Sequence, residues 1–244
     1  MENMVFHKAD TRGHEDHGWL NTYHNFSFGD YHDRGRMQFG TLRVLNDDTV
    51  AAGTGFGRHP HNNMEIISIP LEGELEHQDS MNNIQVIKTG DIQVMSAGTG
   101  IFHSEYNRDK NKEVKFLQIW ILPNKLDVKP RYDQVTLDPS KRINHLQQIL
   151  SPNPKDEGVW IYQDAWFYLG KIQKDHQVNY QIKRKGNGLF CFLLNGKMNI
   201  KDNPLDKRDA IGIWDEDSID LTSLADDSEI LIMDVPMKNS IRIE

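Results

Sequence analysis

Hydrophobic and polar positions along this chain switch in short blocks, with no stripe at the three-to-four spacing of an amphipathic helix. An apolar run at 66–71 ends at Glu72-Gly73. Segments at 74–78, 84–87 and 92–95 follow, parted by Ser80-Met81-Asn82-Asn83 and Thr89-Gly90-Asp91. A glycine corner at 97–100 leads into a strand from Ile101, then a polar loop at 107–112 and an alternating, aromatic strand at 114–122. Earlier, short strands are expected over 37–50, broken at Asn46-Asp47-Asp48, while the polar, glycine-flanked stretch at 9–34 reads as a solvated loop held down by Trp19, Tyr23, Phe26 and Phe28. Turn signals roughly every 8 to 12 residues predict an all-β sandwich or barrel.

The pattern breaks at 123–142, where Pro123, Pro130 and Pro139 read as a linker. It then resumes, with strands expected at 159–162, 165–172, 178–183, 189–194, 197–200, 211–214 and 229–235 and a hairpin at Asn195-Gly196. Laying Leu71-Glu72-Gly73 on Leu194-Asn195-Gly196 gives an offset of about 123 residues, which suggests two copies of one domain. The expected division is a first unit at 1–122, the linker at 123–142 and a second unit at 143–244.

Charge and composition narrow the partners. A formal net charge of −8 on 244 residues, with no run of Lys and Arg, argues against nucleic acid. The longest apolar run, near 116–122, is too short to span a bilayer, and the first eight residues carry no apolar leader. One cysteine, Cys191, excludes an internal disulfide, and its apolar surroundings read as a buried strand with an inert thiol. A reducing, cytoplasmic setting is the expectation.

The chemistry concentrates in His59-Pro60-His61 and His103-Ser104-Glu105. On a strand, residues two apart share a face, so His59 and His61 point one way with Cα atoms about 6 to 7 Å apart. From there two imidazoles can converge on one ion at roughly 2.0 to 2.1 Å. His103 and Glu105 repeat the arrangement, and the glycines before them allow a tight corner that aims a ligand strand inward. Two strands with two ligands each would make a four-ligand site of nitrogen and oxygen donors. The competing view is ordinary polar side chains on half-exposed strands, which the second cluster disfavours. His77 reads as barrel wall or surface, and His7, His32, His145 and His176 as exposed. At the 123-residue offset His59 and His61 fall on Ile182 and Arg184, and His103 and Glu105 on Asp226 and Ser228, so the second unit is expected to lack ligands.

The spacing of Gly53, His59, His61 and Glu65, then Gly90, His103 and Asn107, resembles the two motifs of cupin barrels, with Ser96 where cupins often have proline. Finer agreement comes from His59-Pro60-His61, Leu71-Glu72-Gly73, His77-Gln78-Asp79-Ser80, Met95-Ser96-Ala97-Gly98-Thr99-Gly100 and His103-Ser104-Glu105, with Arg12-Gly13, Trp19 and His24-Asn25-Phe26-Ser27-Phe28 upstream. These resemble the pirin family, most closely its bacterial quercetin 2,3-dioxygenase-like members, over nearly the full chain and most specifically before about residue 140. The resemblance implies a bicupin of two antiparallel jelly-roll β-barrels, with a metal held by His59, His61, His103 and Glu105. General cupins take the carboxylate from the first motif, here Glu65, so both glutamates stand as candidates. Parity at the closest spacing favours Glu105. The implied ion is divalent, Fe(II) first, with Cu, Ni, Co, Mn or Zn compatible with the donor types. The implied reaction opens the ring of a flavonol such as quercetin with O2, releasing carbon monoxide, with Glu105 as the catalytic general base. Pirin-like proteins also include metal-dependent, redox-sensing partners of other proteins, which is the alternative implied; a metal-stabilised scaffold without turnover is the third.

Overall fold

The strand Ile101–Asn107 alternates buried and outward side chains, whereas Glu65–Glu72 is buried at its first six positions. A strand buried on both faces must lie between two layers, and one that alternates must cover a layer from outside. The computed structural model, which describes residues 3–241, has that arrangement. Up to residue 136 the strands are β1 (Met4–His7), β2 (Gly13–Asp16), β3 (Leu20–His24), β4 (Leu42–Val50), β5 (Gly55–His61), β6 (Glu65–Glu72), β7 (Glu74–Asp79), β8 (Ile84–Lys88), β9 (Asp91–Ser96), β10 (Ile101–Asn107), β11 (Val114–Ile121) and β12 (Arg131–Thr136). A seven-stranded sheet in the order β12-β9-β6-β11-β4-β3-β2 packs on a four-stranded sheet in the order β5-β10-β7-β8.

The second half repeats the plan. Its seven-stranded sheet runs β1, Ala210–Trp214, Asn187–Asn195, Ser228–Pro236, Trp166–Ile172, Leu146–Ser151, Val159–Trp160, and its four-stranded sheet runs Gln177–Gln181, Ser218–Ser223, Lys197–Ile200, Asn203–Asp206. Both units are open jelly rolls rather than closed barrels, so the fold is of the all-β class that the turn pattern predicts and is the bicupin that the resemblance implies. No described helix is long and apolar enough to cross a membrane.

Three local expectations change. The stretch 9–34 holds β2 and β3, which extend the large sheet as a hairpin. The stretch 123–142, read as a linker, holds β12, which pairs along β9 from Arg131↔Ser96 to Thr136↔Asp91. Pro130 precedes that edge strand and Pro139 opens a 3-10 turn at Pro139–Arg142, so the prolines bound the elements instead of breaking them. β1 leaves the first unit altogether and pairs with Ala210–Trp214, which buries His7 between Phe26 and Phe190.

The two seven-stranded sheets face one another across a shared core, to which the first gives Leu45, Ile67, Leu117 and Ile119 and the second Phe167, Phe192, Leu231 and Met233. Opposite parity in the first sheet points into the first unit. There the apolar filling is divided into one cluster around Leu75, Ile87 and Phe116 and another around Ile66, Met95 and Ile101. Between them runs a polar row, because His24 pairs with Asn46, Asn46 with Gln118, Gln118 with Ser68 and Ser68 with Gln93 across five adjacent strands. Registered partners share a face, so all five side chains enter the same interior. The second unit has one unbroken apolar cluster in that place, containing Tyr180, Met198, Ile219 and Leu221. The sheet order sets Gln177–Gln181 and Ser218–Ser223 where the first unit has β5 and β10, so a constant offset of 123 residues does not hold through the loops.

Candidate metal centre

β5 and β10 pair antiparallel, with His103 opposite His59 and Ile101 opposite His61. Arg58 and Pro60 face out, which leaves His59 and His61 on the inner side as their parity requires. The register slips between His103 and Glu105, where β5 bulges at the glycine-bearing segment. Gly55 permits the close approach there, since a Cβ on it would lie 2.2 Å from the Glu105 carbonyl oxygen.

Nitrogens of His59, His61 and His103 all lie within 4.8 Å of one another, with ring centroids 4.4 to 4.9 Å apart. An ion at 2.0 to 2.1 Å from each nitrogen holds them up to about 4 Å apart, so small rotations close the trio. A second group within 4.8 Å joins His77, His103 and Glu105, and His103 belongs to both.

Hydrogen bonds decide which of these atoms are free. His59 Nδ1–H donates to the Gly57 carbonyl at 2.7 Å, leaving Nε2 as a lone pair. His77 Nε2–H donates to Asp79 at 3.2 Å, so His77 Nδ1 accepts from His103 Nδ1–H, 3.4 Å away. Both nitrogens of His77 are thereby occupied. His103 Nε2 is left bare: it is buried and has no partner within the protein. Burial, with His59, His61 and His77 crowded around it, pushes the His103 pKa down to about 2, and burial pushes His61 down to about 4. Both rings are neutral at physiological pH, the form that binds a metal.

Glu105 is fully buried and receives Ser68 Oγ–H at 3.1 Å on one oxygen and Gln118 Nε2–H at 2.8 Å on the other. Burial drives its pKa upward, opposed by those bonds and by the nearby imidazoles. Neutral imidazoles with outward lone pairs beside a buried carboxylate are a donor set that a divalent cation fits and little else stabilises. Glu65 lies elsewhere. It accepts from Ser96 Oγ at 2.7 Å and is drawn to Arg131, whose guanidinium stacks 3.8 Å from the Trp160 ring at the seam between the units. It belongs to neither candidate group.

Sequence reasoning named His59, His61, His103 and Glu105 but not what holds them. His77, expected as wall or surface, is wholly buried and stands opposite Glu105 in the β10–β7 register. Ser68 and Gln118 carry no motif signal at all. The trio and Glu105 open onto a cavity of about 150 Å³ whose far wall includes Thr22, His24, Asp48 and Trp120. Thr22 Oγ1–H donates to Asp48, and burial lifts the Asp48 pKa to about 7. Among the described residues both candidate groups lie in the first unit.

Comparison with known proteins follows the same division. A family model described as "Pirin" matches residues 5–121, and one described as "Quercetinase C-terminal cupin domain" matches 148–235. The chain is 42% identical over 233 residues to "Quercetin 2,3-dioxygenase" of Escherichia coli K12, covering 96% of this chain and 99% of that protein. It is 35% identical to a "Pirin-like protein" of Caulobacter vibrioides, covering 92% and 96%. The crystal structure of bacterial pirin YhhW from Escherichia coli in complex with nickel(II) superposes with a TM-score of 0.90 at 40% identity, covering 96% of this chain and 99% of that one.

Proposed function

The chain belongs to the pirin family, and from that premise we propose that it is a metal-dependent dioxygenase that opens the ring of a flavonol such as quercetin with O2 and releases carbon monoxide. We assign the ion to His59, His61, His103 and Glu105, and read it as Fe(II); the nickel complex of the Escherichia coli relative supports a site open to divalent ions generally. The observation that carries the reading is the bare, buried Nε2 of His103 in a trio of converging imidazoles beside a buried carboxylate.

When bound, the ion supplies Lewis acidity toward the flavonol 3-hydroxyl oxygen and redox chemistry toward O2. The protein supplies the rest. Glu105 takes the 3-hydroxyl proton as general base, from a position held within the candidate site. Ser68 and Gln118 fix the carboxylate so that its proton is received in one orientation. His61 and Trp120, rings 4.9 Å apart, wall the cavity so that the deprotonated flavonol reacts away from bulk water. A single buried thiol, Cys191, suits a reducing setting, which supports a cytoplasmic location as part of this reading.

Oxygen uptake with quercetin tests this. Metal-stripped protein and His61→Ala are each expected to lose quercetin consumption, with activity restored to the wild type alone by adding metal. Normal turnover by either would overturn the proposal.

A further inference from the structure

The cavity has a second polar end that the reaction above does not use. His24, the last residue of β3, is 1% exposed and lines the wall opposite the histidine trio, on the large sheet rather than the small one. Its Nδ1–H donates to Asn46 Oδ1 at 2.8 Å, which fixes the tautomer and leaves Nε2 an acceptor. That Nε2 is buried and has no hydrogen-bond partner in the protein. The nearest acid oxygen, Oε1 of Glu15, is 3.9 Å away and already receives the backbone N–H groups of Asp30 and Tyr31. A buried acceptor left this way is destabilising unless a ligand or water fills it.

Aromatic rings connect this end to the other. His24 lies 5.4 Å from Phe28, Phe28 lies 5.3 Å from Trp120, and Trp120 lies 4.9 Å from His61. One side of the cavity is thus an aromatic arc from His24 to His61, whose ring stands 4.9 Å from His103; the unpartnered nitrogens along it are His24 Nε2 at one end, the Trp120 Nε1 donor midway and His103 Nε2 beyond the other end, on the metal side. A planar ligand lying along the arc meets aromatic rings along its length and finds a hydrogen-bond acceptor, His24 Nε2, at the end away from the metal.

We propose that His24 is a specificity-determining residue, whose Nε2 receives a phenolic hydroxyl remote from the oxygen held at the metal. The preferred substrate class is then a polyhydroxylated aromatic, and a ligand with the metal-binding hydroxyl alone is bound less well. The inference rests on the oxygenase reading of the same cavity. Sites that hydrogen-bond a substrate hydroxyl reject analogues lacking it, because the buried acceptor is then left empty.

The test compares quercetin with 3-hydroxyflavone, which keeps the metal-binding hydroxyl and lacks every other. Binding is read by fluorescence under argon with nickel-loaded protein, so that no turnover intervenes. His24→Phe is expected to weaken quercetin about tenfold and 3-hydroxyflavone by less than about twofold, while His24→Gln, which keeps a polar atom near Nε2, retains quercetin to within about threefold. Normal binding of 3-hydroxyflavone shows in each variant that the pocket is folded. An equal loss for both ligands, or no loss for either, overturns the role of His24 and leaves the oxygenase reading standing. Wild-type protein that binds neither flavonol overturns both. Wild-type protein that binds quercetin with the expected His24 dependence but never consumes it overturns the oxygenase reading alone.

Discussion

Replacing His77 by phenylalanine tests how the metal centre is held. The side chain is fully buried, its ring 4.8 Å from Tyr132 and 5.3 Å from His103, so a phenyl ring keeps the packing and removes only the two nitrogens. Asp79 loses one donor among several, since Asn83 Nδ2 and the backbone N–H groups of Met81 and Asn83 still bond it at 2.8 to 3.1 Å. The serious loss falls on His103, whose Nδ1–H then has no acceptor. Its proton is free to move to Nε2, the atom the metal needs bare. Removing an outer partner of a metal-bound histidine typically weakens binding 10- to 100-fold, and the long 3.4 Å contact argues for the lower end, about tenfold or 1.4 kcal/mol. Anaerobic titration of nickel(II) against a competing chelator measures this, with a thermal melt of the metal-free protein to establish folding. His77→Asn should recover affinity to within about threefold, because its amide oxygen reaches roughly where Nδ1 stood. If His77→Phe binds nickel within about twofold of the wild type, or if the asparagine variant is as weak as the phenylalanine, the hydrogen-bonded chain from Asp79 to His103 does not set the tautomer.

Three further outcomes follow from the same geometry. Glu105→Gln should lose most metal affinity while Glu65→Gln keeps it, and competition titration reads both; the reverse result would move the carboxylate ligand to the first motif. Burial raises the Glu65 pKa to about 7, so the native state keeps a proton that the unfolded chain releases near pH 4.5. Its stabilising contribution is therefore full below about pH 4.5 and is lost as pH rises toward 7. Urea denaturation of Glu65→Gln should show a smaller loss over that window, by about 3 kcal/mol, with a remaining slope from Asp48. Identical slopes would contradict it. Gly55→Ala places a methyl group against the backbone of Glu105 and Tyr106, and should destabilise the protein by about 1 to 3 kcal/mol in the same assay while weakening nickel binding. Unchanged affinity would mean that the β5–β10 spacing is not what sets the site.

What could be read from residues alone was whatever depends on parity within one strand. His59 with His61, and His103 with Glu105, needed only the two-residue repeat, and turn spacing was enough for the all-β class. The 9–34 stretch misled because β2 and β3 are short and polar, and edge strands need little apolar signal when their partner strand is already buried. The linker misled because Pro130 and Pro139 flank a six-residue strand that the prolines seemed to forbid.

The rest of the site depends on register between strands, which no single segment encodes. His24, Asn46, Gln118, Ser68 and Gln93 come from five strands spread over 95 positions, and become one row only when each pairing is set. Shifting β11 by one residue would turn Gln118 into the core between the sheets and bring Leu117 or Ile119 against Glu105. That register is held by the opposite face, where Leu117 and Ile119 pack with Leu45 and Ile67 into the shared core. The inter-unit core thus fixes the polar row indirectly: the apolar parity of the large sheet chooses the register, and the register delivers Ser68 and Gln118 to Glu105. The second unit carries the same apolar parity toward that core, yet its own interior is filled by Tyr180, Ile219 and Leu221. Its part is to supply the surface against which the first sheet is set. Truncating Phe167 or Leu231 to alanine on the second unit's side of the shared core, remote from every candidate ligand, is therefore expected to weaken nickel(II) binding in the competition titration as well as stability in urea, while truncating Ile219 or Leu221 inside the second unit's own filling costs stability alone.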